Sequence, residues 1–121
     1  MAADTRCIDT MLSAWNSHDD SLLEQIVGKS LSPDVEFCDP FHDIRGHAPF
    51  IEMVKAFWAK HGKCKITRTS AIDTHHDRAR YTWLIESPTG GRFEGFDAVT
   101  LDLESGTVAR VDGFFGPLSP V

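Results

Sequence analysis

Arg92-Phe93-Glu94-Gly95-Phe96-Asp97-Ala98-Val99-Thr100-Leu101-Asp102-Leu103 alternates in character along its length. Successive residues of a strand point to opposite faces of the sheet. One face therefore carries Phe93, Gly95, Asp97, Val99, Leu101 and Leu103. The other carries Glu94, Phe96, Ala98, Thr100 and Asp102. Asp97 thus falls on a mostly apolar face, where an ionised carboxylate is costly unless it is paired, solvated in a cavity or neutral. Val35 to Asp39 repeats the pattern, with Val35, Phe37 and Asp39 on one side and Glu36 and Cys38 on the other. Two carboxyl groups on separate core-facing strands predict a pocket with acid/base groups at its bottom.

The segments outside these two strands supply the layers around them. Cys7, Ile8, Met11, Leu12 and Trp15 form one helical stripe. Leu22, Leu23, Ile26 and Val27 form a second, capped by Asp19, Asp20 or Ser21 and ended by Gly28. Ser32-Pro33-Asp34 reads as a turn before the Val35 strand, which Pro40 stops, and Phe41 to Gly46 reads as a loop. Phe50, Ile51, Val54, Phe57 and Trp58 mark a third helix, with Pro49 in its first turn and Gly62 at its end. After Gly62 the chain reads as strands: Cys64 to Ile72, Arg78 to Glu86, Arg92 to Leu103 and Val108 to Phe115. His75-His76-Asp77, Ser87 to Gly91 and Glu104-Ser105-Gly106 connect them. This order predicts a single α+β domain over residues 1–121: a curved, cone-shaped, mixed but mostly antiparallel sheet packed on three helices from the N-terminal half. Gly95 and Gly113, inside strands, mark bends or close approaches.

The bulk properties narrow the function. The chain has 121 residues, 41% hydrophobic and 25% charged, with a net charge of −6. The acidic balance argues against nucleic acid as a partner. The densest basic stretch, Lys60 to Arg68, reads as a solvated strand face. No apolar run reaches the roughly 20 residues of a membrane span, and Met1 to Cys7 has no apolar signal core. The expectation is a cytoplasmic protein with no membrane partner. Cys7, Cys38 and Cys64 have no paired spacing, so no disulfide framework is expected. His75-His76-Asp77 lacks a third ligand at useful spacing, so no metal is expected, and no glycine-rich phosphate loop is present.

Several motifs carry a resemblance. They are Trp15-Asn16-Ser17-His18-Asp19, Asp34-Val35-Glu36-Phe37-Cys38-Asp39-Pro40, Gly46 before the third helix, Phe96-Asp97-Ala98-Val99 and Phe114-Phe115-Gly116. With the element order, they resemble the nuclear transport factor 2-like superfamily, in its SnoaL-like and ketosteroid isomerase-like branch. The resemblance implies a cystatin-like α+β roll. It also implies cofactor-free acid/base chemistry of the isomerase, cyclase or hydratase type on a small hydrophobic carbonyl or ring compound. Asp39 then matches a general base, and Asp97 an acid kept protonated by an apolar site. The tyrosine that the isomerases carry on the first helix corresponds to Met11, which cannot donate a hydrogen bond. Tyr81, Trp83, Trp15 and His42 are the other candidate donors.

The expected site is therefore Asp39 and Asp97 as catalytic groups, with Trp15, His42, Phe57, Tyr81, Trp83 and Phe115 around the substrate. A structural alternative for Asp97 is pairing with Arg80 or Arg110. A functional alternative is a non-catalytic module that binds an apolar ligand or dimerises. A homodimer through the sheet is expected in either case, with Phe96, Ala98 and Phe114 on the outer face.

Overall fold

The computed structural model describes residues 3–121. Helix α1 spans Arg6–Ser17 and buries the stripe Cys7, Ile8, Met11, Leu12 and Trp15. His18 ends it in the left-handed conformation (φ 47°), and its Nε2 lies 2.7 Å from the Cys64 carbonyl oxygen. Helix α2 spans Asp20–Ser30; the Asp19 carboxylate accepts the Leu22 N–H at 2.7 Å and caps it. The expected stop at Gly28 is passed, because the Leu31 N–H reaches back to the Val27 carbonyl and closes one more turn. Leu22, expected on the buried face, is exposed.

Strand β1 (Leu31–Asp39) leaves α2 without a loop, so Ser32-Pro33-Asp34 lies inside a strand rather than in a turn. The β1–β7 ladder is irregular between Leu31 and Glu36, and that irregularity accommodates Pro33. Phe41 to Gly46, expected as loop, holds the short strand β2 (His42–Arg45), paired antiparallel to β1. Helix α3 spans His47–His61, and the Gly62 N–H donates to the Trp58 carbonyl at 2.8 Å. Phe50, Met53 and Val54 are buried.

The expected strand from Cys64 to Ile72 is two pieces, β3 (Lys65–Arg68) and β4 (Asp73–His75), both antiparallel to β5 (Arg78–Glu86). Between them Thr82 N–H donates to Ser70 Oγ and Thr69 N–H to the Thr82 carbonyl, so the link stays hydrogen-bonded. Strands β6 (Arg92–Asp102) and β7 (Thr107–Phe115) complete a sheet of order β2-β1-β7-β6-β5-β3, with β4 also on β5. Among the described residues only the β1–β7 pairing is parallel. The fold is α+β, with a seven-stranded, mostly antiparallel curved sheet and three helices.

The inner face of β6 is buried from Gly95 to Leu101, Phe93 is half-buried, and Leu103 lies beyond the strand in an exposed turn. One core joins the helices to the sheet through Ile8, Met11, Leu23, Phe50, Val54, Val99 and Val111. Burial of such side chains contributes roughly 1.5–3 kcal/mol each. No helix among the described residues is long and apolar enough to cross a membrane.

Candidate functional site

Four strands place one row of residues across the sheet. Tyr81 of β5 pairs with Asp97 of β6, and Asp97 with Gly113 of β7. Cys38 of β1 pairs with Asp112, so the next position carries Asp39 alongside Gly113. A Cβ on Gly113 would stand 3.1 Å from Asp97 Oδ1 and 3.4 Å from Asp39 Cβ. The missing side chain is what lets the two carboxyl groups share one space.

The adjacent row is Trp83, Gly95 and Phe115. A Cβ on Gly95 would overlap the Phe114 carbonyl and stand 2.6 Å from Trp83 Cζ2. Glycine therefore allows the indole to lie across the β6 backbone and reach Asp97. Trp83 Nε1–H donates to Asp97 Oδ1 at 3.0 Å, and the Tyr81 hydroxyl donates to Oδ2 at 2.8 Å. Neither arginine considered from the sequence is its partner. Arg80 pairs with Asp73 at 2.8 Å, and Arg110 bridges Glu36 and Asp112.

Asp97 is 6% exposed. Burial pushes its carboxyl from the ordinary 3.8 up to about 6; the Tyr81 and Trp83 hydrogen bonds pull the other way, and the nearby Asp39 charge adds to the rise. At pH 7 the ionised form then leads by about ten to one. The Tyr81 O–H and the Trp83 N–H, both aimed at the carboxyl oxygens, favour the charged form and offset part of the burial cost. Burial, and then the Asp97 charge, raise the Tyr81 hydroxyl well above its usual value, so it stays a donor.

Asp39 lies at the end of β1, where Pro40 and Phe41 turn the chain into β2. Its Oδ1 accepts the Phe41 N–H at 2.9 Å and lies 3.0 Å from His42 Nδ1. The side chains of His42 and Asp39 are 38% and 14% exposed. An acceptor on Nδ1 fixes the imidazole with a proton there and leaves Nε2 as its working edge.

Both carboxyl groups open onto one cavity of about 410 Å³. Of the expected site residues, Asp39, Asp97, Trp15, His42, Phe57, Trp83 and Phe115 line it. Tyr81 does not; its hydroxyl is committed to Asp97. Helix α1 contributes Leu12 and Trp15, while Met11 is buried in the core. Apolar walls come from Phe37, Met53, Ile85 and Phe93. Sequence reasoning missed Phe41, Lys60 and His61, which also line the cavity. A signal for the last two was present: Met53, Phe57, Lys60 and His61 recur at helical spacing on α3.

Chemically, the arrangement offers a carboxyl group with a pKa raised to about 6, held by two donors in an apolar hollow, beside an Asp–His pair nearer the solvent. That combination suits proton transfer, because a group with pKa near the working pH can both take and return a proton.

Residues 8–111 match the model of the SnoaL-like domain. A SnoaL-like family protein from Agrobacterium tumefaciens, provisionally designated an isomerase, superposes with TM-score 0.85 at 26% identity, over 97% of this chain and 100% of that one. Two more distant structures share the fold. A protein of Kribbella flavida, provisionally designated a ketosteroid isomerase, has TM-score 0.69 at 17% identity, over 95% and 78% of the two chains. A provisionally designated SnoaL-like polyketide cyclase of Jannaschia sp. CCS1 has TM-score 0.73 at 12%, over 95% and 88%. No curated protein matches the chain closely in sequence. With a family match over most of its length and the fold that goes with it, the chain belongs to the SnoaL-like family.

Proposed function

We propose that the protein is a cofactor-free acid/base catalyst of the isomerase or cyclase type, acting on a small hydrophobic carbonyl or ring compound. The observation that carries this reading is the Asp97 carboxylate, pushed to about 6, opening into an apolar cavity. Asp97 takes a proton from carbon next to the substrate carbonyl and returns it at another position. Tyr81 and Trp83 hold it in place. His42, as an imidazolium whose Nδ1–H is held by the Asp39 carboxylate, presents its Nε2–H to the developing enolate oxygen. The sequence-based roles are thus exchanged: Asp97 is the base, and Asp39 acts through His42.

The test is turnover of a panel of cyclic ketones and lactones by the wild type and by Asp97→Asn. Loss of a positioned acid/base group costs about 10²–10⁴-fold. A folded Asp97→Asn protein with wild-type turnover would overturn the role. A binding-only reading has one observation of its own: α1 presents Leu12 and Trp15 to the cavity and no hydroxyl donor. Saturable binding across the panel with no turnover by the wild type would favour it.

The partner in either reading is a second copy, through the outer face of the sheet. Phe96 and Phe114 stack there at 5.2 Å and 16°, and Phe114 is 50% exposed. A solution mass of one chain at micromolar concentration would count against this dimer.

A further inference from the structure

The ionisable groups lining the cavity differ in whether they already have a partner. Asp97 holds Tyr81 and Trp83, and Asp39 holds His42 and the Phe41 N–H. Lys60 and His61 line the same cavity. Among the described residues neither makes a hydrogen bond or an ion pair, whereas Lys55 earlier on the helix is tied to Asp20 at 3.6 Å. Cations in a last helical turn are favoured by the negative end of the helix dipole. That accounts for their residue type, but not for their place on the cavity wall. The His61 ring is held against Phe57 at 4.5 Å and Phe93 at 5.2 Å between ring centres. The apolar wall therefore ends at two adjacent nitrogen-bearing side chains free to meet a ligand.

We propose that the ligand of this cavity is an amphipathic anion: an apolar ring or chain that fills the hollow, with a carboxylate group at Lys60 and His61. The inference rests on the reading of the cavity as a site for a small hydrophobic carbonyl compound and narrows that class to keto acids and their like. In this pose the reactive carbon lies toward Asp97, and the carboxylate stays at the rim, away from it. The orientation is enforced twice, since Asp97 and Asp39 repel an anion that enters head first.

The experiment uses 2-naphthylacetate and its methyl ester, which differ in charge and little in shape. Binding of each to the full chain is followed by amide NMR titration at low salt, in the wild type and in Lys60→Gln. The acid is expected to bind about five-fold tighter than the ester, the scale of a partly exposed ion pair. Lys60→Gln should bring the ratio to within about twofold, and added salt should narrow it in the wild type. Perturbed amides should include those of Lys60 and His61. Equal or tighter binding of the ester, or an unchanged ratio in a Lys60→Gln protein with native amide dispersion, would overturn the proposal and leave the cavity as a site for neutral compounds. Failure of both probes to bind would overturn it together with the hydrophobic-ligand reading.

Discussion

Asp39 and Asp97 flank the same glycine, yet they live in different media. Asp97 sits mid-strand between two other strands, so everything beside it is sheet or core, and its partners are the side chains of Tyr81 and Trp83. Asp39 is the last residue of its strand, next to a hairpin, and its partners are a backbone N–H and a half-exposed imidazole. Position along the strand, and not residue type, sets what each carboxyl can do. Mid-strand burial raises the carboxyl of Asp97 to about 6. The strand end gives Asp39 a histidine to orient. Dividing one chemistry between two environments is how a pair of like residues comes to hold unlike roles.

The comparison breaks most completely at Gly95. Gly95→Ala drives a methyl group into the Phe114 carbonyl and the Trp83 indole. Neither can yield without moving a strand or withdrawing the donor from Asp97. Overpacking of this kind costs roughly 1–3 kcal/mol, and loss of a buried hydrogen bond about 1–3 more. The expected loss in urea unfolding is therefore at least about 2 kcal/mol. Gly28→Ala, where the added atom meets nothing within 4 Å, serves as the control and should cost nothing. A Gly95→Ala protein as stable as the wild type would remove the steric basis for the Trp83–Asp97 bond.

Acidity sharpens the same contrast. Asp97 goes from the ordinary 3.8 to about 6 on folding, so the folded state binds its proton more tightly than the unfolded state does. The protonated form therefore stabilises the fold. That contribution is fully present below pH 3.8 and is lost as pH rises to about 6, in total about 3 kcal/mol. Asp9 runs the other way: the Arg68 hydrogen bonds lower its carboxyl, and the stability it contributes is lost as pH falls. The two are separated by subtraction. The stability of Asp97→Asn minus that of the wild type should climb between pH 4 and pH 6 and level off above. A difference flat across that window would mean that Asp97 does not titrate as a buried group.

The inner row of the sheet was legible in the sequence because burial of one face imposes a period of two, and Asp97 stood out against it. The helices were legible for the same reason at a period near 3.6. What escaped were elements whose pairing is set by neighbours. Strand β2 carries only Ile44 as an apolar residue in His42–Arg45 and exists because β1 offers it a free edge. Pro33 reads as a turn but lies where the parallel ladder skips. The charge state of Asp97 was beyond a one-dimensional reading, since it depends on an indole reaching diagonally across a glycine. Lys60 is exposed, as its reading as a solvated residue expects, but nothing in the chain order says that the end of α3 also lines the cavity.

The smallest expected effect belongs to the outer member of the pair. His42→Leu removes the partner of a carboxylate that keeps the Phe41 N–H and access to water. A half-exposed pair of this kind contributes about 0–1 kcal/mol, so unfolding should shift by less than about 1 kcal/mol. Asp97 should hardly respond: the Asp39 charge acts on it less than burial, which raises its pKa, or than the two hydrogen bonds, which lower it. Carboxyl-carbon NMR of Asp97 in His42→Leu should therefore give a midpoint close to the wild-type value, while Trp83→Phe, which removes a donor that favours the charged form, should move it upward. If His42→Leu moved the midpoint more than Trp83→Phe did, the two carboxyls would be titrating as one coupled unit. The proposed division of labour between buried base and oriented histidine would then have to give way to a shared proton.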